Sequence, residues 1–184
     1  MKPTAEPIAT AIGSVEIAQA ISAEIDDVLD ILNEATRWLA SRGINQWRVD
    51  GFPRGVIADG ISCGEVYVAR RDGRAVGTFA LQWNDELFWP GEAEEAGYIH
   101  RIAVHRDARG LGIELLKSAE RATTASGRKL LRLDCFAGNS ALCSYYERAG
   151  FVRVADIEVD GRNDPTVPGS TGSFFARQYE KVLH

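Results

Sequence analysis

The sequence has no hydrophobic run that approaches the ~20 residues needed to span a membrane, so no membrane partner is expected. Its first residues, MKPTAEPIATAIG, lack the apolar segment of a secretory signal. Proline, threonine, alanine and glycine dominate them, and we interpret residues 1–13 as a loose lead-in. The sequence also shows no internal repeat. Residues 14–184 are therefore predicted to form one domain.

Cysteine is scarce, and its placement fits no metal site. Cys63, Cys135 and Cys143 are odd in number and lack the spacing of metal ligands, which favours reduced thiols in a cytoplasmic protein. The formal net charge of −5 disfavours nucleic acid as the main partner, because phosphate binding needs a basic stripe. We therefore expect no metal and no nucleic acid. The acidic balance weakly favours a cationic substrate such as an amine.

The most informative segment is YIHRIAVHRDARGLGIELL, residues 98–116. An apolar strand over 98–104 is followed by a glycine turn and then by a helical pattern over 110–125. Backbone N–H groups at the start of a helix attract an anion, and Arg109 adds a positive charge. The turn lacks the pattern GxxxxGKS/T and the third glycine of GxGxxG, which argues against both nucleotide motifs. The segment is either a phosphate-binding turn or only a chain reversal.

The remaining patterns alternate between helix and strand. Apolar residues recur at helical spacing over residues 23–41, with Ser22 as the expected N-cap and Gly43 after the last turn. Asp72-Gly73 between two β-rich runs predicts a hairpin. The resulting order, β-α-α-β-β-β-α-β-α-β-β, predicts a mixed α/β (α+β) fold. In it, about seven mostly antiparallel strands with one parallel crossover are flanked by about four helices.

A second segment, NSALCSYYERAGF at residues 139–151, adds to this picture. Its Asn, Tyr-Glu and Gly-Phe positions, together with the strand and turn upstream, resemble the GNAT superfamily of acetyl-CoA-dependent N-acetyltransferases. The order of elements from about residue 14 onward is similar too. The chain departs from the family at Asp107, where glutamine or arginine is usual. Because an aspartate would repel a phosphate, we expect Asp107 to face solvent or to cap the helix.

The resemblance implies a GNAT-type fold, acetyl-CoA as the cosubstrate and no metal. The strand would bulge and separate from its neighbour, so that its backbone contacts the pantetheine arm at Ile102, Ala103 and Val104. N–H groups around the turn would hold the pyrophosphate, at Arg109, Gly110, Leu111 and Gly112. Asn139 would cap its helix and touch the pantetheine amides. Arg106 would reach a phosphate or remain solvated.

Acetyl transfer to an amine needs a donor for the leaving thiolate and a base for the amine. By the resemblance, Tyr146 lies near the thioester sulfur and donates to it, with a core aromatic as the alternative. His100 has the intrinsic pKa of a base near neutral pH, unless it is only a packed strand residue. Glu95 acting through a water and Asp134 binding the amine are further options. Nothing indicates a lowered pKa for Cys135, so we reject a cysteine acyl-enzyme.

The acceptor pocket would be shaped by loops over residues 45–62, 84–97 and 160–172, the last of which is predicted to lie on the surface. Several aromatic and acidic residues that suit a cation come from this part of the fold: Trp47, Trp83, Trp89, Asp85 and Glu86. Trp38 and Tyr145 are expected to be packing residues.

We therefore predict an N-acetyltransferase that moves an acetyl group from acetyl-CoA to a primary amine of a small molecule by direct attack in a ternary complex. One alternative is a protein acetyltransferase acting on lysine or an N-terminus. Another is a non-catalytic acyl-CoA-binding domain, which the presence of Tyr146 disfavours. The resemblance also allows a homodimer.

Overall fold

The computed structural model of the protein describes residues 7–10, 12–91, 95–160 and 173–184. The strands are β1 Ile8–Thr10, β2 Gly13–Gln19, β3 Val66–Arg71, β4 Arg74–Gln82, β5 Ala96–Val104, β6 Leu130–Phe136, β7 Val152–Asp160 and β8 Ser173–Val182. The helices are α1 Ile25–Ser41, α2 Arg54–Ser62, α3 Gly112–Ala125 and α4 Ser140–Arg148, with 3-10 turns at Ser22–Glu24 and Arg106–Ala108. The described strands form one sheet in the order β1-β2-β3-β4-β5-β6-β8-β7, in which β5 and β6 are parallel and the other neighbours antiparallel. This confirms the predicted mixed fold.

The described sheet has eight strands rather than seven, because residues 8–10 pair with β2. This strand lies inside the stretch interpreted as a loose lead-in. The Thr10 hydroxyl donates a hydrogen bond to the Gly13 carbonyl at 2.7 Å, and Gly13 has a φ of +106°, so the chain reverses tightly here. A strand of three residues carries too short a pattern to be recognised in a sequence.

Two hydrophobic clusters cover the two faces of the sheet. Alternate residues of β3 show this arrangement, because Val66 and Val68 pack with α1 and α2, whereas Ala69 belongs to the cluster of α3 and α4. Each pair of helices is thereby fixed on its own face. Both α1 and α3 also contact β5, so the two layers meet the same strand from opposite sides.

Local signals predicted the turns well and one helix start poorly. Asp72 and Gly73 have φ values of 53° and 77°, as a two-residue hairpin requires. Gly43 follows α1 with a φ of 71° and ends the helix as expected. Ser22 does not cap α1: it begins the 3-10 turn, and the Glu24 carboxylate instead accepts a backbone N–H at 2.8 Å. The tighter turn inserted before α1 moves Ser22 out of the capping position.

β5 contains a bulge, as the family resemblance implied. Its pairing with β4 joins Thr78 to Ala103 and Ala80 to His100, so β5 has one residue more than β4 between these pairs. Arg101 lies at this point with a φ of +51°, a value that is uncommon outside glycine. The extra residue changes which groups of β5 face each side of the sheet.

The parallel pairing of β5 with β6 also ends early. The last paired residues are Ile99 and Leu133, although β5 continues to Val104 and β6 to Phe136. Beyond these residues the two strands separate and the sheet opens into a slot. Backbone groups along the slot are outside the parallel ladder, and a ligand can bind them.

Across the described residues, every helix is too short or too polar to cross a bilayer. The cytoplasmic location and the homodimer considered above stay predictions.

Candidate active site

The larger of two adjoining cavities has a volume of about 580 Å³ and lies at the open end of β5. Its walls come from the second half of α1, the end of β5, the turn before α3 and the start of α4. Eight of the residues expected to hold acetyl-CoA line it: Ile102, Ala103, Val104, Arg109, Gly110, Gly112, Asn139 and Tyr146. The fold therefore brings the two sequence motifs around one space.

Leu111 is the exception in this set. Its side chain is 1% exposed in the core, and its N–H donates to the Ala108 carbonyl at 3.2 Å. Because this N–H is already used, Leu111 does not offer a donor to an anion. Gly110 has a φ of +94°, which favours glycine, and Gly112 begins α3, where N–H groups have no acceptor within the helix.

A side chain of α1 holds the turn between β5 and α3. The Glu34 carboxylate accepts hydrogen bonds from His105 Nδ1 at 2.6 Å and from the Arg106 N–H at 3.2 Å. Sequence reasoning missed Glu34, because its partners lie 71 and 72 residues away and no local pattern marks the contact. The helix therefore fixes the turn from one side.

Asp107 ties the same turn to the β3–β4 hairpin. Its carboxylate lies 3.2 Å from the guanidinium groups of both Arg71 and Arg74. Of the two expected alternatives, Asp107 does not cap α3, which has no side-chain cap, and it does face solvent, with a carboxylate that is about half exposed while it pairs with the two arginines. The two arginines offset the negative charge of Asp107, which reduces its repulsion of an anion in the larger cavity.

Trp38 lies at the rim of the larger cavity, so the expectation that it belongs to the core is wrong. Its side chain is 36% exposed, and the guanidinium of Arg106 lies 4.7 Å from the ring centroid. Arg42 lies 5.6 Å from the same ring. Together with Arg109, these arginines make the rim positive, which suits a ligand that carries phosphates.

Tyr146 lines both cavities and lies between them. Its side chain is buried, and burial raises the pKa of its hydroxyl well above the usual value, so the group stays protonated and can donate. The start of α4 is fixed by Asn139, whose side-chain oxygen accepts the Leu142 N–H at 3.2 Å. This confirms the predicted cap. The amide nitrogen of Asn139 donates to Gln46 at 3.0 Å.

The smaller cavity, of about 320 Å³, lies on the other side of Tyr146. Its polar centre is His100, whose Nε2 is 3.3 Å from the Asp85 carboxylate and whose Nδ1 is 3.8 Å from the Asp134 carboxylate. All three side chains are largely buried. Aromatic rings form part of the wall: Trp47, Phe88 and Phe174. The cavity thus combines apolar walls with one base and two acids.

Burial lowers the pKa of the His100 imidazole to about 3, and the positive charge of Arg101 acts in the same direction. His100 is therefore neutral at neutral pH, the form that accepts a proton. The carboxylates of Asp85 and Asp134 lie beside the ring, where they would stabilise an imidazolium if His100 took up a proton. Asp85, His100 and Asp134 also place ligand atoms within 4.8 Å of one another, a donor set that a metal ion could use.

The other predicted residues lie away from the two cavities or have a different role. Glu95 is exposed and lines neither cavity. Trp83 and Glu86 line a separate hollow, and Trp89 is buried beneath Arg132. Of the acceptor residues expected from the loops, Trp47 and Asp85 line the smaller cavity. Residues 161–172 of the predicted surface loop lie outside the described residues.

Cys135 lines the smaller cavity as a thiol. Burial raises its pKa, and the nearby Cys143, whose Sγ is 3.7 Å away, acts in the same direction. A thiol with a raised pKa is a poor nucleophile, which agrees with the rejection of a cysteine acyl-enzyme.

A glycine turn at the start of a helix lies beside an opened sheet, and a protonated tyrosine lies between two cavities. This arrangement is compatible with an enzyme that passes an acyl group from a phosphate-bearing carrier to an acceptor. Residues 26–151 match the model of the acetyltransferase (GNAT) family, which covers more than half of the chain. The chain belongs to this family and is an acyltransferase.

A relative in Bacillus subtilis strain 168 agrees with this assignment. The uncharacterized N-acetyltransferase YesJ is 32% identical over 143 residues, which cover 72% of this chain and 78% of YesJ.

Solved structures confirm the fold. A GNAT-family acetyltransferase from Listeria monocytogenes 4b F2365 is 24% identical, with a TM-score of 0.74, over 97% of this chain and 100% of that chain. The acetyltransferase yncA from Salmonella typhimurium, solved with acetyl-CoA as its cofactor, is 16% identical, with a TM-score of 0.67, over 92% and 94% of the two chains.

Proposed function

We propose that the protein transfers an acetyl group from acetyl-CoA to a primary amine of a small molecule. The observation that carries this proposal is the position of Tyr146, which lines both cavities. A thioester in the larger cavity and an amine in the smaller one would meet beside a single hydroxyl. Direct attack in a ternary complex requires this proximity.

The larger cavity is the proposed acetyl-CoA site. The backbone of β5 from Ile102 to Val104 would contact the pantetheine arm along the slot, and the N–H groups of Gly110 and Gly112 would face the pyrophosphate. Arg106 and Arg109 add positive charge at the rim. The bound acetyl-CoA of the similar enzyme yncA supports this choice of donor.

The smaller cavity is the proposed acceptor site. The amine nitrogen attacks the carbonyl carbon of the thioester, so that a C–N bond forms while the C–S bond breaks. The acceptor attacks as the neutral amine. As the C–N bond forms, its nitrogen becomes acidic and passes a proton to the neutral His100 ring, while Tyr146 donates to the leaving thiolate. Asp85 and Asp134 stabilise the protonated His100, and they attract a cationic acceptor before it reacts.

The experiment that tests this function measures release of CoA thiol from acetyl-CoA against a panel of primary amines. The panel contains aminoglycosides, polyamines, amino acids, arylamines and short peptides. We expect release that depends on one class of small amine and falls sharply in Tyr146→Phe. Tight acetyl-CoA binding without release from any amine would instead favour a binding domain, and release with peptides alone would favour a protein acetyltransferase.

A further inference from the structure

Tyr145 has a buried hydroxyl with no hydrogen-bond partner among the described residues. Its side chain lines the larger cavity, next to the residues that form the anion-binding turn. A buried hydroxyl without a partner costs folding free energy, so its presence calls for an explanation. Packing alone would be served as well by phenylalanine.

The hydroxyl groups of two other buried tyrosines do have hydrogen-bond partners. The Tyr98 hydroxyl accepts a hydrogen bond from Arg132 at 3.3 Å, and the Tyr179 hydroxyl donates to Glu147 at 2.9 Å. Both rings are at most 2% exposed. The hydroxyl of Tyr145 therefore differs from them in lacking a partner within the described protein.

Gly112 shows where this hydroxyl points. A Cβ atom added to Gly112 would lie 2.7 Å from the Tyr145 oxygen and 3.5 Å from its ring carbon Cζ. Gly112 is the first residue of α3, and its φ lies outside the left-handed region, so glycine is not required there by backbone conformation. The missing side chain instead leaves room for the hydroxyl against the first residue of the helix.

We propose that the Tyr145 hydroxyl donates a hydrogen bond to a phosphate oxygen of the bound acetyl donor, which makes it part of the anion-binding turn. This inference rests on the proposed function only in taking acetyl-CoA as the ligand of the larger cavity. It assigns the neighbouring tyrosines different tasks: Tyr145 holds the carrier, and Tyr146 serves the reacting sulfur.

The electrostatics of the site agree with a donor role. Burial raises the pKa of the Tyr145 hydroxyl, so the group keeps its proton at neutral pH. A neutral O–H beside positively polarised N–H groups adds one more donor to the same anion.

The first test measures CoA binding to Tyr145→Phe by calorimetry, with Tyr67→Phe as the matched control. Tyr67 lies on β3, stacks on Phe79 and lines neither cavity. We expect CoA to bind about tenfold or more weakly to Tyr145→Phe, because a hydrogen bond to a charged group is lost, and to bind normally to Tyr67→Phe. The ligand-free Tyr145→Phe should melt at the same temperature as wild type or higher, since the unpaired hydroxyl is removed.

A second test locates the contact on the ligand. Acetyl-pantetheine carries the thioester arm without the pyrophosphate, so it should bind more weakly than CoA. Its affinity should differ less than twofold between the wild type and Tyr145→Phe. Gly112→Ala is a structural control, because its Cβ would meet the Tyr145 oxygen. This substitution should weaken CoA binding in the wild-type protein. The same substitution should weaken CoA binding less in a protein that already carries Tyr145→Phe.

Three results would overturn the inference. These are unchanged CoA affinity in Tyr145→Phe, an equal loss for CoA and acetyl-pantetheine, and a lower melting temperature together with the loss of affinity. A wild-type protein that binds CoA but acetylates no amine would refute the proposed function and leave this test intact. A wild type that binds no CoA would refute both.

Discussion

The two cavities that meet at Tyr146 differ in the chemical groups that line them. The larger one includes the end of β5 and the start of α3, whose main-chain groups a ligand could reach, and the spacing of two glycines marks this part in the sequence. The smaller cavity depends on side chains from three separate segments, at Asp85, His100 and Asp134. A backbone site is therefore recognisable as a short motif, whereas a side-chain site appears only after folding. This is why the turn could be singled out in the sequence, where the family resemblance then named the carrier, and why the acceptor could not be named.

The largest expected effect is at the residue that the two cavities share. Tyr146→Phe should lower kcat by about 100-fold or more, because phenylalanine cannot donate to the leaving thiolate. Acetyl-CoA affinity should stay within about threefold, and Tyr67→Phe should keep wild-type turnover. Steady-state kinetics with calorimetry measure both. A loss of affinity without a loss of kcat would place Tyr146 with the larger cavity alone.

The second-largest effect is expected at Asp85, where a substitution should change acceptor binding but not acetyl-CoA binding. Asp85→Asn is expected to raise the KM of a cationic acceptor about tenfold, because a buried negative charge is removed from its site, and to leave acetyl-CoA affinity unchanged. The Asp85 side chain also accepts the Phe88 N–H at 3.0 Å, a bond that asparagine can keep. Glu86→Gln is the matched control, since Glu86 lies outside the smaller cavity. Equal effects of both changes would contradict a specific acceptor site at Asp85.

The third prediction compares the pKa of His100 in the folded protein with its pKa in the unfolded protein. Its folded pKa of about 3 is below the unfolded value, so the unfolded chain binds a proton first as the pH falls below about 6.5. The free energy of unfolding should therefore fall by up to about 1.4 kcal/mol for each unit that the pH drops between 6 and 4, and His100→Asn should remove this dependence. NMR of the imidazole should show no titration of His100 between pH 8 and 5. A midpoint near 6.5 would show that the ring is solvated.

The smallest effect is expected at the hairpin side of the turn. Asp107→Asn should lower the free energy of unfolding by less than about 1 kcal/mol, because the carboxylate is half exposed and surface ion pairs contribute little. Urea unfolding at low and high salt measures this change. A loss above about 2 kcal/mol would mean that Asp107, rather than Glu34, fixes the turn.

The sequence predicted features whose causes are local. Residues 23–41 were predicted as a helix and form α1 with the end of the 3-10 turn before it, and Asp72-Gly73 forms the expected hairpin. Both depend on neighbours in the chain, namely apolar residues at helical spacing and a glycine in the turn. The bulge and the separation of β5 followed from the family resemblance rather than from any local signal.

Most of the errors involve contacts between distant segments. Trp38 faces a cavity that three other elements enclose, whereas the strand at residues 8–10 pairs with the adjacent β2 and was missed because its pattern is short. Glu34 and the Asp107 ion pairs likewise depend on partners brought close by the fold. Helical periodicity distinguishes apolar from polar positions, but it does not distinguish a core from a cavity wall. Tyr145 packs against the core as expected, and it also lines the larger cavity, which the sequence did not indicate.

The early end of the β5–β6 pairing has a consequence for stability. An extended carrier arm in the slot would supply hydrogen bonds that the sheet itself does not make, so the complete sheet would exist only in the complex. Ligand binding and folding would then be linked: at a free concentration 100 times the Kd, the carrier would add about 2.7 kcal/mol to the unfolding free energy. The protein without its carrier would therefore unfold at a lower temperature than the same protein with the carrier bound, and free CoA, which has the same arm, would protect it without supporting the reaction.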